Sequence, residues 1–295
     1  MEMTVISGKG GTGKTTIAMA IAQLSGEMKM ADCDVDAPNL YLYYNGMDVK
    51  KEYFYALKKA VIDERQCTKC GICEQTCAFG AIDNASIDPY KCEGCAACTL
   101  VCPENAIGMR DEKAADAYIT RTEEGFITRA EMEIGSDGSG KLVTLLRNNA
   151  RKIADDDALI VIDGSPGIGC PVISSVTASD LVLIVTEPTQ SGYDDFLRVA
   201  ELCSHFGIQT LACINKHDIN ETMSDKIQQH CALGGIDVVG KIPYDEVVMR
   251  SVNALQPITN YPHSPANKAV RHMWEKIQPY VDEIKSRIEK EGEYL

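Results

Sequence analysis

Eight of the thirteen cysteines fall between Cys67 and Cys102, in the doubled order Cys67-x2-Cys70-x2-Cys73-x3-Cys77 and Cys92-x2-Cys95-x2-Cys98-x3-Cys102-Pro103. Thiols this dense and this regular do not describe an extracellular disulfide scaffold, whose cysteines are scattered through a short secreted domain. A block of about 45 residues cannot bury enough apolar surface to hold itself together, so a bonded core has to replace the hydrophobic one. Metal or cluster ligation is the chemistry that uses such spacings, with zinc held by C-x2-C pairs as the rival to iron and sulfide.

The rest of the chain reads as alternating strand and helix. Met3–Ser7 is an apolar strand, and Thr15–Leu24 is the helix that follows a glycine loop. Between them Gly8-Lys9-Gly10-Gly11-Thr12-Gly13-Lys14-Thr15-Thr16 spells G-x-x-x-x-G-K-[ST]. Glycines there let the backbone wrap a phosphate with its N–H groups pointing inward, and the helix N-terminus adds partial positive charge. Lys14 is expected on the β- and γ-phosphates and the Thr15 hydroxyl on Mg²⁺.

A weaker strand ends at Asp32, and the tyrosines and charges of 36–66 show no clean period, which predicts a connector. Ala117–Ile134 alternates around Glu123-Glu124-Gly125 as a hairpin does. Ser136–Lys141 reads as a Gly/Ser loop and Leu142–Ala154 as a helix. Ala158–Ile162, Leu181–Thr186, Thr210–Ile214 and Ile236–Ile242 are short apolar runs suited to parallel strands, with Tyr193–His205 and Glu221–Cys231 helical between them. From Ala266 onward Val270, Met273, Trp274, Ile277, Val281, Ile284 and Ile288 keep a helical stripe, ending in acids at Glu289, Glu291 and Glu293. A net charge of −14 works against a broad nucleic-acid or anionic-membrane surface. With no basic n-region and no apolar run of about 18 residues, the expectation is a cytoplasmic protein without a membrane span.

Two resemblances organise these features. The cysteine block resembles the bacterial two-cluster ferredoxins, in which the fourth cysteine of each run ligates the other cluster. That implies one [4Fe–4S] cluster on Cys67, Cys70, Cys73 and Cys102 and a second on Cys92, Cys95, Cys98 and Cys77. The first run departs from the pattern, with Ala78 where a proline is usual. Gly71 and Gly94 are expected to let backbone approach the clusters. The form K-G-G-x-G-K-T, with its additional Lys9, resembles the deviant phosphate loop of the MinD/Mrp/ParA ATPases. By that resemblance Lys9 reaches the phosphates of a partner subunit in an ATP-bound homodimer. Asp34, in Asp32-Cys33-Asp34-Val35-Asp36, would orient the attacking water, and Asp32 would lie close to Mg²⁺. Asp163, ending Leu159–Ile162, corresponds to the second Mg²⁺ carboxylate, and Gly164-Ser165-Pro166-Gly167 to the loop that senses the γ-phosphate. Asn215 corresponds to the base-contacting asparagine, although Asn215-Lys216-His217-Asp218 also spells the guanine motif N-K-x-D. ATP is favoured over GTP by the loop.

The implied fold is α/β: a P-loop NTPase of the SIMIBI/MinD-like type, mostly parallel sheet with helices on both faces, at 1–58 and 109–295. A small α+β ferredoxin-like module is inserted at 59–108. Three functions follow: ATP-gated, low-potential electron transfer to a redox partner; assembly or carriage of iron–sulfur clusters or metallocofactors; and positioning of the ParA/MinD kind. The acidic surface speaks against the third, which needs nucleic acid or membrane. Completed ligation favours the first over the second. Cys33, Cys203, Cys213 and Cys231 read as buried small hydrophobes. Cys170 lies seven residues beyond Asp163, the spacing of a cluster-ligating cysteine in the nitrogenase iron protein, but no second cysteine accompanies it.

Overall fold

The structure, a computed structural model, describes residues 1–26, 28–136, 138–155 and 157–292. Asp137, in the expected Gly/Ser loop, and Glu293, in the acidic end, lie outside the described residues. The chain divides into two compact units: Met1–Lys51, Tyr118–Ala130 and Ser139–Leu295 form unit 1, and Glu52–Ala117 with Glu131–Gly138 form unit 2.

In chain order the elements begin β1 (Glu2–Ser7), α1 (Lys14–Leu24), β2 (Met28–Asp32), a 3-10 helix at Leu40–Tyr43, and β3 (Gly46–Ile62). Then come α2 (Ile72–Thr76), β4 (Ile82–Asp83), β5 (Ser86–Ile87), α3 (Ala97–Val101), β6 (Ile107–Thr122) and β7 (Gly125–Met132). The rest are α4 (Ser139–Ile153), β8 (Ile160–Pro166), α5 (Cys170–Val176), β9 (Leu181–Thr186), α6 (Gln190–His205) and β10 (Thr210–Asn215). They close with α7 (Glu221–Leu233), β11 (Asp237–Ile242), α8 (Glu246–Asn253) and α9 (Pro265–Gly292). Among the described residues no helix is long and apolar enough to cross a membrane.

The large sheet runs β11-β10-β9-β1-β8-β2-β7-β6-β3. Every pairing from β11 to β7 is parallel. Parallel strands need covering on both faces, which is why β1, β2 and β9 are buried at every position. Successive side chains alternate between the two cores. Met3, Val5, Leu183 and Leu211 pack with Ile17 and Ile21 of α1 and Met273 and Ile277 of α9. Ile6, Val182, Ile184 and Ala212 pack with Phe196 of α6 and Ile227 of α7. This is the expected α/β arrangement, with helices on both faces. The stripe on α9 leaves the core at Ile288, which is 39% exposed.

The expectation of a connector across 36–66 is corrected: 17 of those residues form β3. Nearly all of its positions are exposed or half-buried and only Ala60 is buried. No single buried face therefore imprinted a period of two, and only the aromatic and β-branched content signalled a strand. The hairpin is present, but its first strand begins at Ile107, ten residues before the expected start. β8 runs four residues past Ile162, carrying the strand through Asp163 to Pro166.

Gly125 sits where β7 meets β2, at φ +153°, and a Cβ there would stand 1.8 Å from the Met28 carbonyl oxygen. Gly125→Ala is expected to cost about 3 kcal/mol, read as a lowered urea midpoint. A loss below about 1 kcal/mol would mean that this backbone approach yields easily.

Unit 2 is built on a repeat. Lys69 and Gly94, each two residues past the first cysteine of its run, both take positive φ, as do Gly71 and Ala96 two residues later, and Gly80 and Asn105 three residues past each fourth cysteine. α2 and α3 start five residues after Cys67 and Cys92. Gly71 and Gly94, expected to serve the same purpose, do not occupy equivalent places. A Cβ on Gly94 would lie 2.2 Å from the Lys58 carbonyl oxygen of β3, whereas one on Gly71 would meet nothing within 4 Å. Asn84 and Ala85, both with positive φ, turn the β4–β5 hairpin.

Candidate functional site

The phosphate-loop residues lie where β1 gives way to α1. Gly11 and Gly13 have φ +77° and +90°. A Cβ on Gly13 would lie 2.4 Å from Asn215 Nδ2, and one on Gly8 would lie 2.3 Å from the Asp195 Cβ, so both glycines are sterically required. Gly10 is exposed, Thr16 is half-buried one residue beyond Thr15, and Thr12 is buried with its Oγ1 unpartnered. A buried hydroxyl without a partner calls for a ligand or water to satisfy it.

The start of α1, the end of β2 with the loop after it, and the middle of β8 bring the charged groups together. Lys14, at the first position of α1, puts its Nζ 2.7 Å from Asp163 and 3.4 Å from Asp34. The Thr15 hydroxyl donates to the other Asp163 oxygen at 2.7 Å. Asp32 stands beside Asp163 in the β2–β8 register and accepts from the amides of Leu40 (3.2 Å) and Asp34 (3.3 Å). Cys33 N donates to the Asp163 carbonyl at 2.8 Å, and Ser165 Oγ to the Cys33 carbonyl at 2.6 Å, tying the two acidic segments together.

The electrostatics follow from this crowding. Burial, then the neighbouring Asp163, pushes the Asp32 carboxyl up to about 7, against the pull of Lys14. Burial also raises Asp34, with Lys14 opposing. Burial would lower the Lys14 ammonium, but Asp163 and Asp34 more than reverse it and hold it above the ordinary lysine value. Lys14 thus faces three carboxylates, more negative charge than one ammonium neutralises.

Lys9 is held within its own chain, 2.6 Å from Glu187 and within 3.0 and 3.3 Å of Ser191 and Thr189 hydroxyls. Glu187 also pairs with Lys216 at 3.2 Å. Burial would raise this carboxyl, but the two lysines outweigh it and keep it low. Asn215 Nδ2 donates to the Thr12 carbonyl at 2.7 Å, and Lys216 Nζ lies 3.4 Å from the Gly11 carbonyl. The sequence reading missed Glu187. The available signal was an acid closing the apolar run Leu181–Thr186, as Asp163 closes its own.

In unit 2, Cys67, Cys70, Cys73 and Cys102 line one cavity of about 80 Å³ with Pro103, Ile72 and Ile107. That is well below the roughly 300 Å³ of an organic-ligand pocket. Cys92 and Cys98 are buried with Ala60, Ala81, Ile82 and Ile107, and Cys73, Cys77 and Cys102 pack against this group, so thiols form much of the unit's core. Cys70 and Cys95 are exposed. The amides of Lys69, Ala81 and Ala106 approach the sulfurs of Cys67, Cys77 and Cys102 at 3.3–3.4 Å. Burial raises the Cys73 and Cys98 thiols, and neighbouring cysteines push the same way. Among the described residues no three His, Cys, Asp or Glu side chains converge tightly enough to hold a metal ion.

The remaining cysteines divide as expected. Cys33, Cys203, Cys213 and Cys231 are buried. Burial lifts Cys203 and Cys231 to about 11 and Cys213 to about 12, so all three stay thiols at neutral pH. Cys170 is exposed at the first position of α5.

The profile of the CobQ/CobB/MinD/ParA nucleotide binding domain matches residues 3–258. An uncharacterised protein of Methanocaldococcus jannaschii is 35% identical over 286 residues, covering 95% of this chain and 98% of the relative. A protein of Pyrococcus abyssi named iron-sulfur cluster carrier protein is 24% identical, covering 98% and 90%. The septum site-determining protein MinD of Pyrococcus horikoshii, solved with Mg-ADP, superposes with a TM-score of 0.58 at 19% identity, covering 94% of this chain and 95% of that one. At that identity the likeness concerns the fold.

Proposed function

We propose that this chain, which belongs to the CobQ/CobB/MinD/ParA nucleotide-binding family, is an ATPase that couples nucleotide turnover to low-potential electron transfer through two [4Fe–4S] clusters. The cluster part, expected at 59–108, falls within Glu52–Ala117 of unit 2, which also takes 52–58, 109–117 and Glu131–Gly138 from the expected ATPase part; unit 1 holds the rest of that part. The carrying observation is the cavity lined by Cys67, Cys70 and Cys73 of one run and Cys102 of the other. A zinc ion would draw four sulfurs to about 2.3 Å from one centre, whereas a cubane spreads its ligands over four irons. Thiols set around a small cavity without converging fit the second. When bound, the clusters supply reversible one-electron storage.

In unit 1, Lys14 neutralises the β- and γ-phosphates, and Thr15, Asp32 and Asp163 present oxygens to Mg²⁺. Gly8, Gly10, Gly11, Thr12, Gly13 and Thr16 complete the cradle, with the Thr12 hydroxyl gaining the partner it lacks. Asp34 orients the attacking water, and Asn215 faces the base from its bond to the loop. Lys9 serves a second copy of the chain in an ATP-bound homodimer, for which it must leave Glu187. The electron acceptor is a separate redox protein.

The named cluster carrier among the relatives favours a second reading, delivery of clusters to other proteins. Against it stands the full set of four cysteines for each cluster, because a carrier needs a labile site. Anaerobically purified protein is expected to contain iron and sulfide, to reduce with dithionite, and to change its EPR spectrum, potential or partner affinity with MgATP. If all three stay fixed with MgATP, the coupling is wrong. Transfer of the clusters to an apo-protein would replace it with the carrier reading.

A further inference from the structure

The acidic loop that begins at Asp32 runs directly into the 3-10 helix Leu40–Tyr43. The Leu40 amide donates to one Asp32 carboxylate oxygen at 3.2 Å, so the helix starts from a group inside the phosphate site. One residue on, the ring of Tyr41 lies 4.5 Å from the Arg129 guanidinium. Arg129, buried on β7, has the ring of Tyr118 4.2 Å away. Its Nε donates to Thr120 Oγ1 at 3.1 Å, and its Nη2 pairs with both oxygens of Asp48, at 3.1 and 2.9 Å. One planar cation therefore joins the end of the acidic loop to β3, β6 and β7. Packing alone would not need it, because a buried charge is expensive to desolvate and an apolar side chain of the same volume would fill the space. Lysine could not replace it: only a guanidinium stacks on rings and offers donors along its edge together.

We propose that Arg129 is the positioning residue that carries nucleotide occupancy from the Asp32 loop to the β6–β7 hairpin through the ring of Tyr41. This rests on the reading that the pocket of Lys14, Asp32 and Asp163 takes a Mg²⁺-nucleotide. Were Mg²⁺ bound, Asp32 would help hold it, and a shift of its carboxylate would carry the Leu40 amide bonded to it. Tyr41 follows and shifts against the guanidinium, which also meets Tyr118 and Thr120 of the hairpin and Asp48 of β3. The physical requirement is that both sites bias one element.

Hydrogen exchange of the full, metal-loaded chain with and without MgADP tests this, alongside direct nucleotide titration. In the natural protein MgADP is expected to slow exchange in both 33–44 and 118–130, the latter on the order of tenfold. Tyr41→Leu, which removes the ring and spares the Asp48 pair, should leave nucleotide affinity and the 33–44 response in place while the hairpin response is lost. Arg129→Lys should behave alike, and Tyr41→Phe, which restores a ring, should restore the response. A hairpin response that survives both Tyr41→Leu and Arg129→Lys overturns the proposal, as does a natural protein that binds MgADP without any change in 118–130. Absence of nucleotide binding in the titration would instead overturn the reading beneath it.

Discussion

Cys102→Ser is expected to remove the same cluster as Cys67→Ser, although the two cysteines stand at opposite ends of the block. The cavity lined by Cys67, Cys70 and Cys73 is closed by Cys102 and Pro103 from the second run. Each single variant should lower iron from about eight to about four atoms per chain. The double variant Cys67→Ser/Cys102→Ser should lose no more than either single one, because residues serving one unit are not additive. Cys77→Ser should remove the other cluster, so Cys77→Ser/Cys102→Ser should hold almost no iron. Direct, uncrossed ligation makes the opposite forecast, with Cys67 and Cys77 as the redundant pair and Cys92 and Cys102 as the other. Iron and sulfide analysis with EPR of each reduced variant separates the two, and redundancy of Cys67 with Cys77 would overturn the crossing. Stability should fall with the iron: Cys73 and Cys102 pack against the buried group of this unit, so removing their cluster removes interior bonding as well as redox capacity.

Local signals explain why these features could be read from sequence. The phosphate loop and the cysteine runs are short, contiguous patterns whose chemistry fixes their spacing, and the parallel strands are apolar because helices cover both faces. Leu181–Thr186 was delimited to the residue, since every position in β9 is buried. β3 escaped because exposure on both faces erased the alternation that marks a half-buried strand. α5 and α8 escaped because each is under nine residues, too short to show a period. Their start signals were nonetheless present: Pro171 in the first turn of α5, and Asp245, whose carboxylate accepts from Val247 N to cap α8. Glu187 and Arg129 were illegible for a different reason. The importance of each lies in the partners it meets, Lys9 and Lys216 for one and Tyr41, Asp48, Tyr118 and Thr120 for the other. Only the fold assembles those residues.

Affinity for Mg²⁺-ADP is expected to rise with pH up to about 7 and then level, by at most about tenfold per unit for one displaced proton. The sign comes from Asp32, which burial and Asp163 lift from 3.8 to about 7. Between those values the folded, metal-free site keeps a proton that the unfolded chain has released. Asp32 therefore lowers the stability of the metal-free protein as pH rises through that window, and adds no further loss above it. A divalent cation favours the ionised carboxylate and expels the proton, so binding strengthens over the same window; Asp34, also raised, contributes in the same direction. Asp32→Asn should flatten the slope and weaken Mg²⁺ dependence together. Lys14→Met should do more, because the ammonium 2.7 Å from Asp163 is the cation facing that buried carboxylate. Its removal leaves like charges crowded together, should cost about 3–5 kcal/mol of stability at neutral pH, and should abolish measurable nucleotide binding. The stability loss should shrink on acidification, as Asp32 and Asp34 take up protons and the repulsion disappears. Titrations of Mg²⁺-ADP and urea midpoints from about pH 5.5 to 8.5 decide the matter: a flat affinity profile, or a Lys14→Met protein equally destabilised at both ends, would show that the three carboxylates are not sharing one electrostatic problem.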